Sequence, residues 1–192
     1  NSFIWTSENS GWRHLYHYNA DGSLANQITK SNWTVTDYYG YDEDSRRIFY
    51  QSTENGNVNR GVYSVKINGR KTRNLATQEG TNSADFSADY SKFINTYSSI
   101  DTPARFTLHD AKNGDLIRKI KDNQDLVDKL SQYNTAEKEI STLNINGNEL
   151  NMWMIKPSDF DASKEYPLFM YQYSGPGYQL VSNSFAGSND FW

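Results

Sequence analysis

A strand-like run recurs in this chain at a fixed step, and that step limits the fold more than any other feature. Phe3-Ile-Trp-Thr-Ser7, Ile48-Phe-Tyr-Gln-Ser52 and Phe93-Ile-Asn-Thr-Tyr97 begin 45 residues apart. The flanks keep the same step: Tyr41-Asp-Glu-Asp44 and Phe86-Ser-Ala-Asp89 stand before the second and third copies. After each copy comes a loop, then a second strand-like run: Arg13-His-Leu-Tyr-His-Tyr18, Gly61-Val-Tyr-Ser-Val65 and Arg105-Phe-Thr-Leu-His109. Turn glycines follow at Gly22, Gly69 and Gly114, and a third short run closes each unit at Asn26–Thr29, Arg73–Ala76 and Ile117–Ile120. Apolar residues alternate at period two, which excludes a helical solenoid. Short aromatic-rich antiparallel strands at this period are the pattern of β-propeller blades. Residues 1–120 are therefore expected to form four-stranded blades with Phe3, Ile48 and Phe93 at equivalent positions.

The pattern breaks near residue 121. Leu126, Val127, Leu130 and Tyr133 fall on one face of a helix over 122–133, with Asp122 or Asn123 available as N-cap. Ile140–Ile145 and Asn148–Ile155 flank Asn146-Gly147, a strong hairpin signal that puts Leu150, Met152 and Met154 on one face. Residues 157–167 read as a loop. The run Leu168-Phe-Met-Tyr171, bounded by Pro167 and by Ser174-Gly-Pro-Gly177, then reads as a strand buried on both faces of a parallel or mixed sheet. Its turn would lie at the carboxyl edge of that sheet, where α/β folds place ligands. The fold class expected is mainly β: a partial β-propeller over 1–120, then the first strands of an α/β domain over 121–192. Strands completing that sheet would lie beyond Trp192, so the 168–173 edge should pair with a second copy, fold back on the hairpin, or be poorly ordered. A homo-oligomer is the expected partner state.

Composition removes several classes of function. Nineteen basic and 23 acidic residues give a formal charge of −4 without a Lys/Arg cluster, which argues against nucleic acid as a partner. There is no cysteine, so thiol catalysis and Cys-based zinc sites drop out. No apolar stretch approaches the roughly 18 residues of a membrane-spanning segment.

The order of blades, helix, hairpin ending in Met154-Ile-Lys-Pro157, linker Phe160-Asp-Ala-Ser-Lys-Glu-Tyr-Pro167, apolar strand and Tyr173-Ser-Gly-Pro-Gly177 resembles the prolyl oligopeptidase family of serine peptidases. Phe3-Ile-Trp-Thr-Ser-Glu-Asn-Ser-Gly-Trp-Arg-His-Leu-Tyr16 is similar to its dipeptidyl peptidase IV branch. In that branch a propeller caps an α/β-hydrolase domain that releases N-terminal dipeptides with Pro or Ala second. The resemblance implies that this chain is the last two to three blades plus the start of the hydrolase. It also implies a peptide substrate, no cofactor, and a periplasmic, secreted or cell-envelope location.

One functional residue carries over, the tyrosine of the Tyr-Xaa-Gly-Pro turn, here Tyr173. Its implied role is to donate its phenolic O–H to the oxyanion of a tetrahedral intermediate, beside the backbone N–H of the residue after the nucleophile. From the residues alone, the favoured reading of Tyr173 is a phenol packed at a strand end, and it is the resemblance that turns the balance to the oxyanion role. Ser174 has Gln172 and Pro176 where a nucleophile elbow needs glycines, and no Gly-Xaa-Ser-Xaa-Gly occurs in the chain. The nucleophile, acid and base are thus expected outside it, and the chain alone is expected to be inactive. His14, His17 and His109 fall on blade strands upstream of Tyr173 and read as structural. No two glutamates are neighbours, so the branch's substrate-amine clamp has no counterpart. Asp42-Glu-Asp44 reads as a solvated turn, since it lacks the alternating ligands and glycine of a calcium loop. Trp5, Trp12, Tyr16, Tyr18, Trp33, Tyr38, Tyr39 and Tyr41 read as blade packing ahead of a carbohydrate-stacking surface. Two rival readings stand: a propeller serving purely as a binding module, and a related oligopeptidase or acylaminoacyl peptidase.

Overall fold

The computed structural model of the chain describes residues 1–173, 175 and 177–186. Three antiparallel sheets follow one another along the chain. The first holds β1 (Ser2–Ser7), β2 (His14–Asn19) and β3 (Leu24–Gln27) in that order. The second holds β4 (Val35–Asp42), β5 (Arg47–Ser52), β6 (Gly61–Lys66) and β7 (Arg73–Ala76). The third runs β8 (Thr81–Phe86), β9 (Lys92–Ser99), β10 (Thr102–Asp110) and β11 (Leu116–Lys121). Each is an up-and-down meander, the form of a propeller blade.

The repeat appears as register. Phe3, Ile48 and Phe93 are each the second residue of their strand, and they face Tyr18, Val65 and His109 on the next one. Tyr41 pairs with Ile48 as Phe86 pairs with Phe93. The first sheet departs from the four strands expected: its repeat strand β1 is the edge, with no strand before it among the described residues. That leaves Phe3 and Trp5 exposed where Ile48 and Phe93 are fully covered.

Alternation of side chains explains how the sheets stack. On β5, Ile48 and Tyr50 point into a core that Val35 of β4 joins and that is shared with the first sheet through Leu15 and Ile28, while Phe49 points the other way. There it meets Phe93 and Ala84 of the third sheet. The second sheet is thus packed on both faces, and its central strands β5 and β6 are buried at nearly every position. On β9, at an outer layer, burial alternates residue by residue. Each fully covered Ile48, Phe49, Val62 or Val65 side chain contributes about 1.5–3 kcal/mol of transfer free energy. Trp33 stacks on Tyr50 and meets the His14 ring edge-on, which places it in the seam.

The segment Gly11-Trp-Arg-His-Leu-Tyr16 stitches the first two sheets together. The Arg13 guanidinium donates to the carbonyls of Val35 (2.6 Å) and Thr36 (2.5 Å), and the Arg13 carbonyl accepts from the Val35 amide at 2.8 Å. The β6–β7 and β10–β11 turns, at Gly69 and Gly114, lie against backbone of the preceding sheet. A Cβ on Gly69 would stand 2.9 Å from the Ile28 carbonyl oxygen, and one on Gly114 2.4 Å from that of Leu75.

After β11 the chain forms α1 (Gln124–Leu130), shorter than the sequence pattern and without a buried residue. Asn123 takes a left-handed conformation and its side chain donates to the Ala104 carbonyl, so it does not cap the helix. Asp122 accepts from the Gln124 amide at 3.2 Å. The hairpin forms as expected: β12 (Lys138–Ile145) pairs with β13 (Asn148–Ile155) through Asn146 and Gly147, both at positive φ. Leu150, Met152 and Met154 face Leu143, Ser141 and Glu139. The expected strand over 168–173 does not form. No described strand pairs with it, the hairpin stays two-stranded, and Leu168 and Phe169 are 83% and 90% exposed. An apolar run becomes a strand only when another backbone takes up its N–H and C=O groups, and no described backbone does so here.

Candidate functional site

Tyr173 stands in the extended run after the hairpin and linker, half-exposed at 58%. Its ring lies on Gly175: a Cβ there would meet the ring at 2.6 Å and the phenolic oxygen at 2.9 Å. Tyr178 meets the same ring edge-on, with ring centroids 4.8 Å apart. The ring is therefore in contact with both a residue that has no side chain and a second aromatic. Ser174 and Pro176 lie outside the described residues.

Past the turn, the chain docks on the blades. Gln179 accepts from the Arg60 guanidinium (2.8 Å) and donates to the Asn57 carbonyl (2.8 Å). Burial pulls the Arg60 pKa down from its ordinary value. Asn183 uses all its polar groups. Its amide donates to the Val58 carbonyl at 2.8 Å, and its carbonyl accepts from the Thr81 hydroxyl at 2.9 Å. Its side-chain oxygen accepts from the Ile100 amide, and its side-chain nitrogen donates to Asn59 Oδ1, both at 3.0 Å. Asn59, buried, holds its oxygen in place by also accepting from the Gly80 amide at 3.0 Å. These partners lie on the β5–β6 loop, on β8 and on the β9–β10 turn, so Asn183 sits astride the second and third sheets. Nothing in the sequence marked Gln179, Asn183 or Asn59; lone amides without periodicity or motif carry no signal before the loops they join are known.

The histidines sit apart from Tyr173, in the blades. His14 Nε2 is 2.9 Å from the Ser31 carbonyl, which can only accept, so Nε2 carries the hydrogen. Nδ1 then accepts from Thr29 Oγ1, which itself accepts from the Leu15 amide. By the same reasoning His109 donates from Nδ1 to the Gly114 carbonyl and accepts at Nε2 from Thr107. His17 Nδ1 lies 3.4 Å from Asn26 Oδ1, and its Nε2 is buried without a hydrogen-bond partner among the described residues. Asp42 accepts from the Asp44 and Ser45 amides, which makes Asp42-Glu-Asp44 a self-satisfied turn. Among the aromatics, Tyr16 is buried and Trp33 and Tyr41 pack on the core, while Trp5, Trp12 and Tyr38 are exposed. Among the described residues no three acidic or histidine side chains converge as a metal site would need, and no helix is long and apolar enough to cross a membrane.

Comparison with known proteins places this geometry in a family. The whole chain superposes on the crystal structure of Porphyromonas gingivalis dipeptidyl peptidase 4 with a TM-score of 0.91 and 38% identity, covering 27% of that chain. It is similar to dipeptidyl peptidase 4 of Arthroderma otae, 31% identical over 95% of this chain and 24% of the relative. It is also similar to dipeptidyl peptidase 4 of Trichophyton rubrum, 29% identical over 98% of this chain and 25% of the relative. The chain spans about a quarter of the length of these relatives. Residues 1–104, which hold the first two sheets and most of the third, match the family described as the dipeptidyl peptidase IV (DPP IV) N-terminal region, and the chain belongs to that family.

Proposed function

We propose that this chain is part of a serine-type dipeptidyl peptidase in which Tyr173 is an oxyanion-hole donor. The last blades of its propeller would lie in residues 1–120 and the opening of its hydrolase domain in 121–192. The observation that carries the reading is the fit of the whole chain, at 38% identity, to Porphyromonas gingivalis dipeptidyl peptidase 4. The local geometry is compatible with it: the Tyr173 ring is braced by Gly175 and Tyr178, and the residue is 58% exposed.

During attack on an N-terminal dipeptide, negative charge develops on the carbonyl oxygen of the scissile bond. A preformed phenol aimed at that oxygen donates a hydrogen bond that strengthens as the charge grows, without reorganisation at the moment of reaction. The nucleophile and its base would come from elsewhere in the longer enzyme, because this chain holds no serine elbow. The test is Tyr173→Phe in the full-length enzyme with a Gly-Pro chromogenic amide. Loss of one such donor lowers kcat by about 10²–10³ with KM nearly unchanged. A wild-type kcat removes Tyr173 from the oxyanion site.

A further inference from the structure

We infer that Asn183 is a positioning residue that pins the segment after Tyr173 to the seam between the second and third sheets, so that the blades set where the phenol stands. This rests on the reading of Tyr173 as oxyanion donor. The physical path is short and continuous. Asn183 makes four hydrogen bonds, one from each polar group, to Val58, Asn59, Thr81 and Ile100. Those partners belong to two sheets whose own junction is tied by the Arg60–Thr81 bridge. Four residues before Asn183, Gln179 is bound to Arg60 and Asn57. Its neighbour Tyr178 carries the edge-on contact to the Tyr173 ring.

The arrangement is specific to an asparagine. The Ile100 amide requires an acceptor and Asn59 Oδ1, already fixed by the Gly80 amide, requires a donor. Aspartate would set an oxygen against Asn59 Oδ1, and a shorter side chain would reach neither partner. A shift of about 1 Å at a catalytic donor costs up to 10²-fold in rate, so a loosened clamp should register in kcat while leaving substrate binding in place.

The test uses the full-length enzyme and a Gly-Pro chromogenic amide. Asn183→Ala should lower kcat about 10-fold with KM changed less than twofold, and should speed hydrogen exchange at the Ile100 amide. Thr81→Val, which removes one hydroxyl at nearly constant volume, should lower kcat in the same direction, and Thr81→Ser should restore it. The deciding measurement is a double-mutant cycle: on a Tyr173→Phe background, Asn183→Ala should cost no further kcat, since it acts through the missing hydroxyl. An undiminished loss on that background overturns the inference, as does wild-type kcat in both Asn183→Ala and Thr81→Val while Tyr173→Phe is slow. A Tyr173→Phe enzyme with wild-type kcat overturns the oxyanion reading itself, and Asn183 then has no phenol to position.

Discussion

Gly114→Ala tests whether the blades are spaced by backbone contact at their turns. Gly22, Gly69 and Gly114 occupy matching turns at φ of +83, +76 and +83°, so alanine meets the same local strain at each. That strain is about 1–2 kcal/mol. The surroundings differ. At Gly22 a Cβ would find nothing within 4 Å, at Gly69 the Ile28 carbonyl oxygen at 2.9 Å, and at Gly114 the Leu75 oxygen at 2.4 Å and its Cα at 2.8 Å. Backbone cannot rotate away as a side chain can, so the third sheet must move off the second. Overpacking of that kind adds about 1–3 kcal/mol. Gly22→Ala should therefore lose about 1–2 kcal/mol and Gly114→Ala about 2–5, with Gly69→Ala between them. Urea unfolding of the 192-residue chain, followed by far-ultraviolet circular dichroism, gives the order. If Gly22→Ala and Gly114→Ala agree within about 0.5 kcal/mol, the close approach at Leu75 is not what spaces the sheets.

Thr29→Val should destabilise the chain by about 1–3 kcal/mol, because it strands both the His14 ring nitrogen and the Leu15 amide in the core; a change below about 0.5 kcal/mol in the same urea experiment refutes that network. The Ser87 hydroxyl, then the Ser91 amide, hold the Asp89 carboxyl down to about 2. Its folded pKa lies below the unfolded value, so the stabilisation is present above that unfolded value and is lost as pH falls towards about 2. Carbon-detected titration should find this low value in the wild type and a rise in Ser87→Ala; an unchanged Asp89 in the variant refutes the assignment. The purified 192-residue chain should not cleave a Gly-Pro chromogenic amide above background, and turnover that persists through purification would show that its catalytic groups have been misplaced.

How far the sequence carries depends on where each interaction partner lies. The blades were legible because their partners are local: Ile48 and Val65, or Phe93 and His109, sit on adjacent strands of one meander, so alternation and turn glycines fix register. The hairpin was legible for the same reason, its Asn146-Gly147 turn setting every pair from Ile145 to Ile155. Composition misled at Leu168–Tyr171, where an apolar run implies a strand but says nothing of what backbone would pair with it. It was incomplete at Asn123, whose side chain goes to Ala104 across the fold instead of to its own helix.

The candidate site divides along the same line. Tyr173 could be picked out only through the resemblance of its Tyr-Xaa-Gly-Pro turn to the family's, because Gly175 and Gly177 mark a turn without marking a role for the phenol. Asn183 could not, since its partners stand 83 to 125 positions away in three separate loops and strands. A side chain whose purpose is to join distant elements leaves no periodicity behind, only the residue itself. The consequence is a division of labour that stability measurements alone would miss. Blade residues such as Ile48 hold the sheets together through burial, while Asn183, half-buried at their rim, adds little apolar area and instead fixes the direction in which the chain leaves them. Asn183→Ala should accordingly shift the urea midpoint far less than Ile48→Ala, whose cavity costs about 2–5 kcal/mol. If the two variants prove equally destabilised, Asn183 belongs to the core of the fold and not to the placement of Tyr173.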